Sequence, residues 1–120
     1  MKNSLRRGIA YIAAKVTTSN RKTSIYDYTD GKYTNFSGSI EDNRINVYDH
    51  DVGTYITGNR TGDRFNLYHY DVSNHIKLNI NGEKFDGYDY ESGYHFSGTV
   101  RNNSISLYDY ETIQYYNYSI

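Results

Sequence analysis

The stretch ISLYDYE, residues 105–111, recurs in variant form upstream as TSIYDYT (23–29), INVYDHD (45–51), FNLYHYD (65–71) and FDGYDYE (85–91). The aromatic pairs inside these copies begin at Tyr26, Tyr48, Tyr68, Tyr88 and Tyr108, so three intervals are 20 residues and the first is 22. A fixed period of this length is an internal repeat, and each copy is then one supersecondary unit. Apolar and polar residues alternate within a copy, as in Ile45-Asn46-Val47-Tyr48. That alternation is the period of a strand with one buried face.

Each unit divides into two strands. Val52-Gly53, Asp30-Gly31 and Ser92-Gly93 suit two-residue hairpin turns, with Ser73-Asn74 and Thr112-Ile113 as weaker versions. Four-residue connections, Glu41–Arg44, Thr61–Arg64, Asn81–Lys84 and Arg101–Ser104, close the other end. The chain therefore reads as an antiparallel up-and-down meander of about ten strands in five hairpin repeats, residues 23–120.

Placing Asp51 opposite Thr54 sets Tyr55 against His50 and Ile56 against Asp49, and turn lengths of even parity keep each side chain on one face throughout. The inner face collects Ile45, Phe65, Phe85 and Ile105, then Val47, Leu67 and Leu107 beside Gly38, Gly58, Gly87 and Gly98, then Asp49, His69, Asp89 and Asp109. The outer face carries Asn46, Asn66, Asp86 and Ser106, the phenols of Tyr48, Tyr68, Tyr88 and Tyr108, and an aromatic stripe of His50, Tyr55, Tyr70, His75, Tyr90, His95, Tyr110 and Tyr115. Its polar rows are unlike the apolar exterior of a membrane barrel.

Upstream, Leu5, Ile9, Ile12 and Val16 fall on one face of a helix over residues 4–16, with Ser4 as its N-cap and residues 17–22 as a polar linker. A sheet of ten strands is roughly 48 Å wide, whereas a helix of about 13 residues is ~20 Å long and ~10 Å across. One helix cannot cover such a sheet laid open. The expected fold is thus a single mainly β domain, residues 1–120, whose meander curls or closes into a barrel around the N-terminal helix. An open curved sheet with the helix on one face, alone or dimerised, satisfies the same face assignment. Inward carboxylates need cationic partners, which makes Arg6, Arg7 and Lys15 the expected ion-pair partners of Asp49, Asp89 and Asp109.

The motif Tyr-x-Tyr/His-Asp/Glu followed two residues later by Gly, in 88–93 and 48–53, resembles the Tyr-Asp hairpin repeats of Rhs-type toxin shells and teneurins. The turn here is a residue shorter, and no Arg follows Gly53 or Gly93. The resemblance implies hairpins. Shell-building takes many more repeats than five. A short basic helix followed by Tyr-Asp-Tyr hairpins is also similar to small uncharacterised bacterial proteins built from such repeats.

Composition narrows the function. A formal charge of −1 with interspersed signs is unlike a nucleic-acid-binding surface. No cysteine is present, so neither disulfides nor thiolate zinc sites enter. The apolar run from Gly8 to Ala14 is too short to span a bilayer, and with no convincing signal peptide a cytoplasmic location is expected. His50, His75 and His95 are separated by Tyr-bearing strands, roughly 9 Å or more apart, so no metal site is expected. No catalytic constellation and no cofactor-binding loop is present either. The expected function is a non-enzymatic binding or structural module whose Tyr/His stripe contacts a protein, a glycan or another copy of the chain. Two alternatives are a small enzyme using inward Asp or His groups in a cavity at a barrel mouth, and a self-assembling β-repeat protein with a free strand edge.

Overall fold

The computed structural model describes all residues from Met1 to Ile120. Helix α1 spans Asn3–Thr17, and every residue from Ser4 to Ala14 is buried, the alanines as fully as Leu5, Ile9 and Ile12. A helix with no solvated face has to be enclosed. Ten strands enclose it: β1 (Ser24–Asp27), β2 (Lys32–Glu41), β3 (Arg44–Asp49), β4 (Thr54–Thr61), β5 (Arg64–His69), β6 (Asn74–Asn81), β7 (Lys84–Asp89), β8 (Tyr94–Arg101), β9 (Ser104–Asp109) and β10 (Gln114–Ser119). Successive strands pair antiparallel, and β1 also pairs with β10 through Tyr26↔Ser119 and Asp27↔Tyr118. The sheet is a closed up-and-down barrel, so the edges that a self-assembling strand protein would need are paired with each other.

Ten strands ~4.8 Å apart and tilted by ~40° give a circumference of roughly 60 Å and a diameter near 20 Å. An α-helix with its side chains, about 10 Å across, and one layer of strand side chains fill that bore. Ile45, Val47, Ile56, Phe65, Leu67, Ile76, Leu78, Phe96, Ile105 and Leu107 line it, each nearly or fully buried against Leu5, Ile9 and Ile12. Tyr11 of the helix stacks on Phe36 with ring centroids 4.3 Å apart.

The register departs from the sequence-based expectation by an even slip. Asp49, not Asp51, faces Thr54, and Tyr48 faces Tyr55. The loop at the tyrosine end thus has four residues, His50 to Gly53, and the opposite turns have two, such as Gly62-Asp63 between the paired Thr61 and Arg64. Asp42, Gly62, Gly82 and Asn102, the first residue of each two-residue turn, carry the positive φ of a type II′ turn. Because the slip is two residues, inward and outward faces are unchanged. Its consequence is stagger. A straight path from Ile45 crosses Gly58, Leu67, Ile76 and Asp89, gaining two residues on the repeat at each hairpin. Closure of a barrel requires such a shear, which the register with Asp51 opposite Thr54 lacks.

The four-residue loops are held by the repeated inward acid. Asp49 Oδ1 accepts the backbone N–H of Asp51 at 2.8 Å, and Asp27, Asp89 and Asp109 do the same for Thr29, Glu91 and Glu111. The main-chain oxygen of each Asp accepts the N–H four residues on, from Gly31, Gly53, Gly93 or Ile113. That last residue adopts positive φ, which glycine takes without strain and Ile113, at φ 58°, does not. Since Ile113 is 73% exposed, little packing offsets the strain. Ile113→Gly is expected to stabilise the barrel by about 1 kcal/mol, roughly 4 °C in Tm; a lower Tm in a thermal melt contradicts this.

Two expectations for the helix need correction. Ser4 is not its N-cap: Lys2 holds that position with no side-chain bond, and Ser4 Oγ instead donates to Asp71 Oδ2 on a loop at 2.6 Å. The helix extends one residue further at each end than 4–16, leaving 18–23 as the linker. The first turn carries no acid of its own; loop acids gather there instead, Asp30 accepting from Asn3, Asp71 from Ser4 and Glu111 from the Met1 amino group.

Candidate functional site

The outward tyrosines come from strand alternation: once Val47 and Asp49 point in, Tyr48 must point out. Tyr48 faces Tyr55 across the hairpin, and its ring meets those of Tyr55 and His50 edge-on at 4.8 and 4.9 Å. The other repeats build the same three-ring cluster: Tyr26 with Tyr28 and Tyr33, Tyr68 with Tyr70 and His75, Tyr88 with Tyr90 and His95, Tyr108 with Tyr110 and Tyr115. The stripe of eight aromatics is therefore not one continuous row of touching rings. It is broken into separate clusters, each centred on the first tyrosine of its repeat, and a fifth forms in the first hairpin. The central rings are half-buried and their hydroxyls lie over the loop glycines Gly31, Gly53 and Gly93. The flanking rings stay in water, with Tyr55, Tyr70, Tyr90 and Tyr110 about half exposed and Tyr115 68% exposed. His50, His75 and His95 are exposed too, and His50 Nε2 lies 2.9 Å from Ser37 Oγ.

Inside, Asp27, Asp49, His69, Asp89 and Asp109 ring the N-terminal half of the helix, each at 0% exposure. Arg7 Nε donates to Asp49 Oδ2 at 3.0 Å, with Nη2 2.9 Å from the same oxygen. Arg6 Nη1 donates to Asp109 Oδ2 at 3.1 Å, and its guanidinium lies 3.8 Å over the Tyr116 ring. The Met1 amino group also reaches Asp109 and Glu111.

Lys15 and Asp89 do not join this ion-pair set. Lys15 sits at the other end of the helix and donates to the carbonyl oxygens of Asn20 and Lys22, at 2.6 and 2.9 Å. Burial lowers its pKa from the ordinary lysine value. Asp89 Oδ1 holds its loop while Oδ2 has neither a cation nor a donor. The reason is helical geometry: consecutive residues diverge by ~100°, so Arg6 and Arg7 reach β9 and β3 and leave β7 unserved.

His69 stands where other repeats have Asp. Its Nδ1 accepts the Asp71 N–H at 3.2 Å, which puts the ring proton of the neutral form on Nε2, toward Gly8. Burial pushes its pKa below the ordinary histidine value, against the opposing pull of Asp71. Tyr118, paired with Asp27 across the closing strands, has its phenol pushed well up by burial and by that carboxylate. The five ring positions, Asp27, Asp49, His69, Asp89 and Asp109, are thus shielded from solvent.

The concave parts of the surface lie outside. A groove of about 650 Å³ runs over β6, β7 and β8, lined by Tyr88, His95, Ser97 and Tyr110 and by the paired Lys77, Asn79 and Asp86 of β6 and β7. A smaller hollow, lined by Asn66, His75 and Tyr90, adjoins it at Lys77. His75, Tyr90, His95 and Tyr110 belong to the aromatic stripe read from the sequence; Lys77, Asn79, Asp86 and Ser97 were not singled out there. The available signal was Lys77 itself, which replaces the Ser or Thr found at 37, 57 and 97.

No helix is long and apolar enough to cross a membrane. No protein-family model, curated protein or solved structure matches the chain.

Proposed function

We propose that the protein is a non-enzymatic binding module that presents its outer Tyr/His clusters to a partner, with the barrel and its helix as the rigid support. One observation carries this reading: Tyr70, Tyr90 and Tyr110 remain about half in water although the central ring each one touches is already held from the opposite strand by His75, His95 or Tyr115. Stability asks for less aromatic surface than that, because a cross-strand pair contributes only ~0.2–1 kcal/mol. Exposed aromatic area beyond that need marks an interaction surface. Complete shielding of Asp49, His69 and Asp89 argues against the enzyme alternative.

Replacing Tyr70, Tyr90 and Tyr110 together by Ser tests the reading. The variant is expected to keep the strand signature in circular dichroism and to lose no more than about 4 kcal/mol from three edge-on ring contacts. In sedimentation velocity, alone and mixed with candidate protein or glycan partners, it is expected to lose the associations that the native chain makes. An association that survives unchanged in the variant overturns the reading.

A further inference from the structure

We infer that the groove over β6, β7 and β8 binds a neutral carbohydrate, a short run of pyranose rings lying along the strands. This deepens the reading of the Tyr/His clusters as an interaction surface and rests on it. The last four repeats share one hairpin pattern, yet the aromatic-lined hollows both border Lys77, one also lined by Tyr110 and the other by Tyr90. The outward residue opposite Tyr88 is Lys77 on one side and His95 on the other, and in the next row the small Ser97 sits between Asp86 and Tyr108, leaving a hollow bordered by Tyr88, His95 and Tyr110. The ammonium of Lys77 lies 5.9 Å from the Tyr90 ring, which holds the long side chain against the wall instead of across the trough.

The lining selects the ligand class. Aromatic faces accept an apolar surface with weak polarity at its rim, and the C–H face of a pyranose is one. Tyr88 is fixed by edge contacts to both Tyr90 and His95, so little ordering remains to be done on binding. Asp86 accepts from Asn79 Nδ2 at 2.9 Å and keeps acceptor sites free, and Ser97 and Lys77 add donors. Hydroxyl groups, which both donate and accept, match this mixture. The groove's own formal charges are one Lys and one Asp; the nearby Arg64 lines an adjoining hollow beyond Asn79 and Asp86, so no guanidinium stands among the aromatic rings to hold phosphate or sulfate. Nor is there a deep apolar hole of the kind that anchors a peptide side chain.

The experiment is a nitrogen-15 NMR titration of the full chain with cellohexaose, chitohexaose, maltohexaose and mannohexaose at millimolar concentration. At least one is expected to shift the amides of Lys77, Tyr88, Ser97 and Tyr110 while those of β2 and β3 stay still. Asp86→Asn and Tyr110→Ser are each expected to weaken that binding about tenfold, with unchanged spectra elsewhere showing that the barrel is intact. Silence with all four sugars, or shifts that persist equally in both variants, overturns the assignment. Failure of the sugars alongside an association that the triple tyrosine variant abolishes discards the carbohydrate and leaves the interaction surface standing. Asp86→Asn touches the groove but none of the five clusters' rings, so it separates the two.

Discussion

Arg7→Leu is expected to destabilise the barrel by about 3–5 kcal/mol in urea unfolding, a large part of the 5–15 kcal/mol that a domain of this size has to lose. Arg7 and Asp49 are both shielded from water, and the guanidinium supplies the only cation for that carboxylate. Removing one partner leaves the other charge desolvated with nothing opposite it, and this is costlier than losing the pair together. The double variant Arg7→Leu, Asp49→Asn is therefore expected to recover more than half of the loss. Asn keeps an oxygen to accept the Asp51 N–H, so the loop stays tied while the buried charge is gone. A single-variant loss under about 1 kcal/mol, or a double variant no better than the single, would falsify a stabilising role for this pair. Asp89 provides the internal comparison. It has no cation to lose, so Asp89→Asn is the same chemical change without an abandoned partner.

Parity made the fold legible. With a side-chain period of two, every turn of even length returns Ile45, Phe65, Phe85 and Ile105 to one face, and the size of ten strands against one helix then requires closure. What parity cannot reveal is an even slip. Reading Val52-Gly53 as a two-residue turn treats Gly53 as a hairpin residue, when its positive φ ends a loop begun by Asp49. The signal was in the chain as Asp-x-x-x-Gly, at 27–31, 49–53 and 89–93. An inward acid also reads as a charge seeking a helix cation, and two of the four do meet Arg6 or Arg7. All four tie a loop, and that local duty explains a residue repeated more often than the helix has arginines to match it. The aromatic face was equally legible, as exposure follows from parity. Its division into clusters was not, because which rings touch depends on the slip that pairs Tyr48 with Tyr55 instead of His50. The groove was hidden for another reason: it needs the small Ser97, set between Asp86 and Tyr108, together with rings from β7, β8 and the loop after β9.

Gly98→Ala is expected to cost about 3 kcal/mol or more, the upper end of what overpacking does, although alanine is sterically welcome at its φ and favoured over glycine in isolation. A methyl group there would fall on the carbonyl oxygen of Ser106 in β9 and on the Phe85 ring, whose Cε1 lies 2.8 Å from its place. A carbonyl engaged in the barrel wall cannot step aside without moving its strand. Phe85 cannot either, because it lies over Gly98 while Phe96 lies over Gly87, the two rings filling the absent side chains of the opposite strand. The glycine rows therefore serve the sheet's own stagger and these rings, not an approach of strand backbone to the helix. Gly8→Ala is the contrast. Its methyl would meet only the terminal Cδ1 of Ile56 at close range, with His69 Nε2 at 3.7 Å. An isoleucine tip can rotate, and alanine gains up to ~1 kcal/mol in a helix interior, so this variant is expected within about 1 kcal/mol of native. Equal losses at positions 8 and 98 in parallel urea titrations would show that the bore, rather than the wall, sets the tolerance for added volume. A much larger loss at 98 locates the rigid part of the molecule in the wall beside Ser97, where the groove needs it.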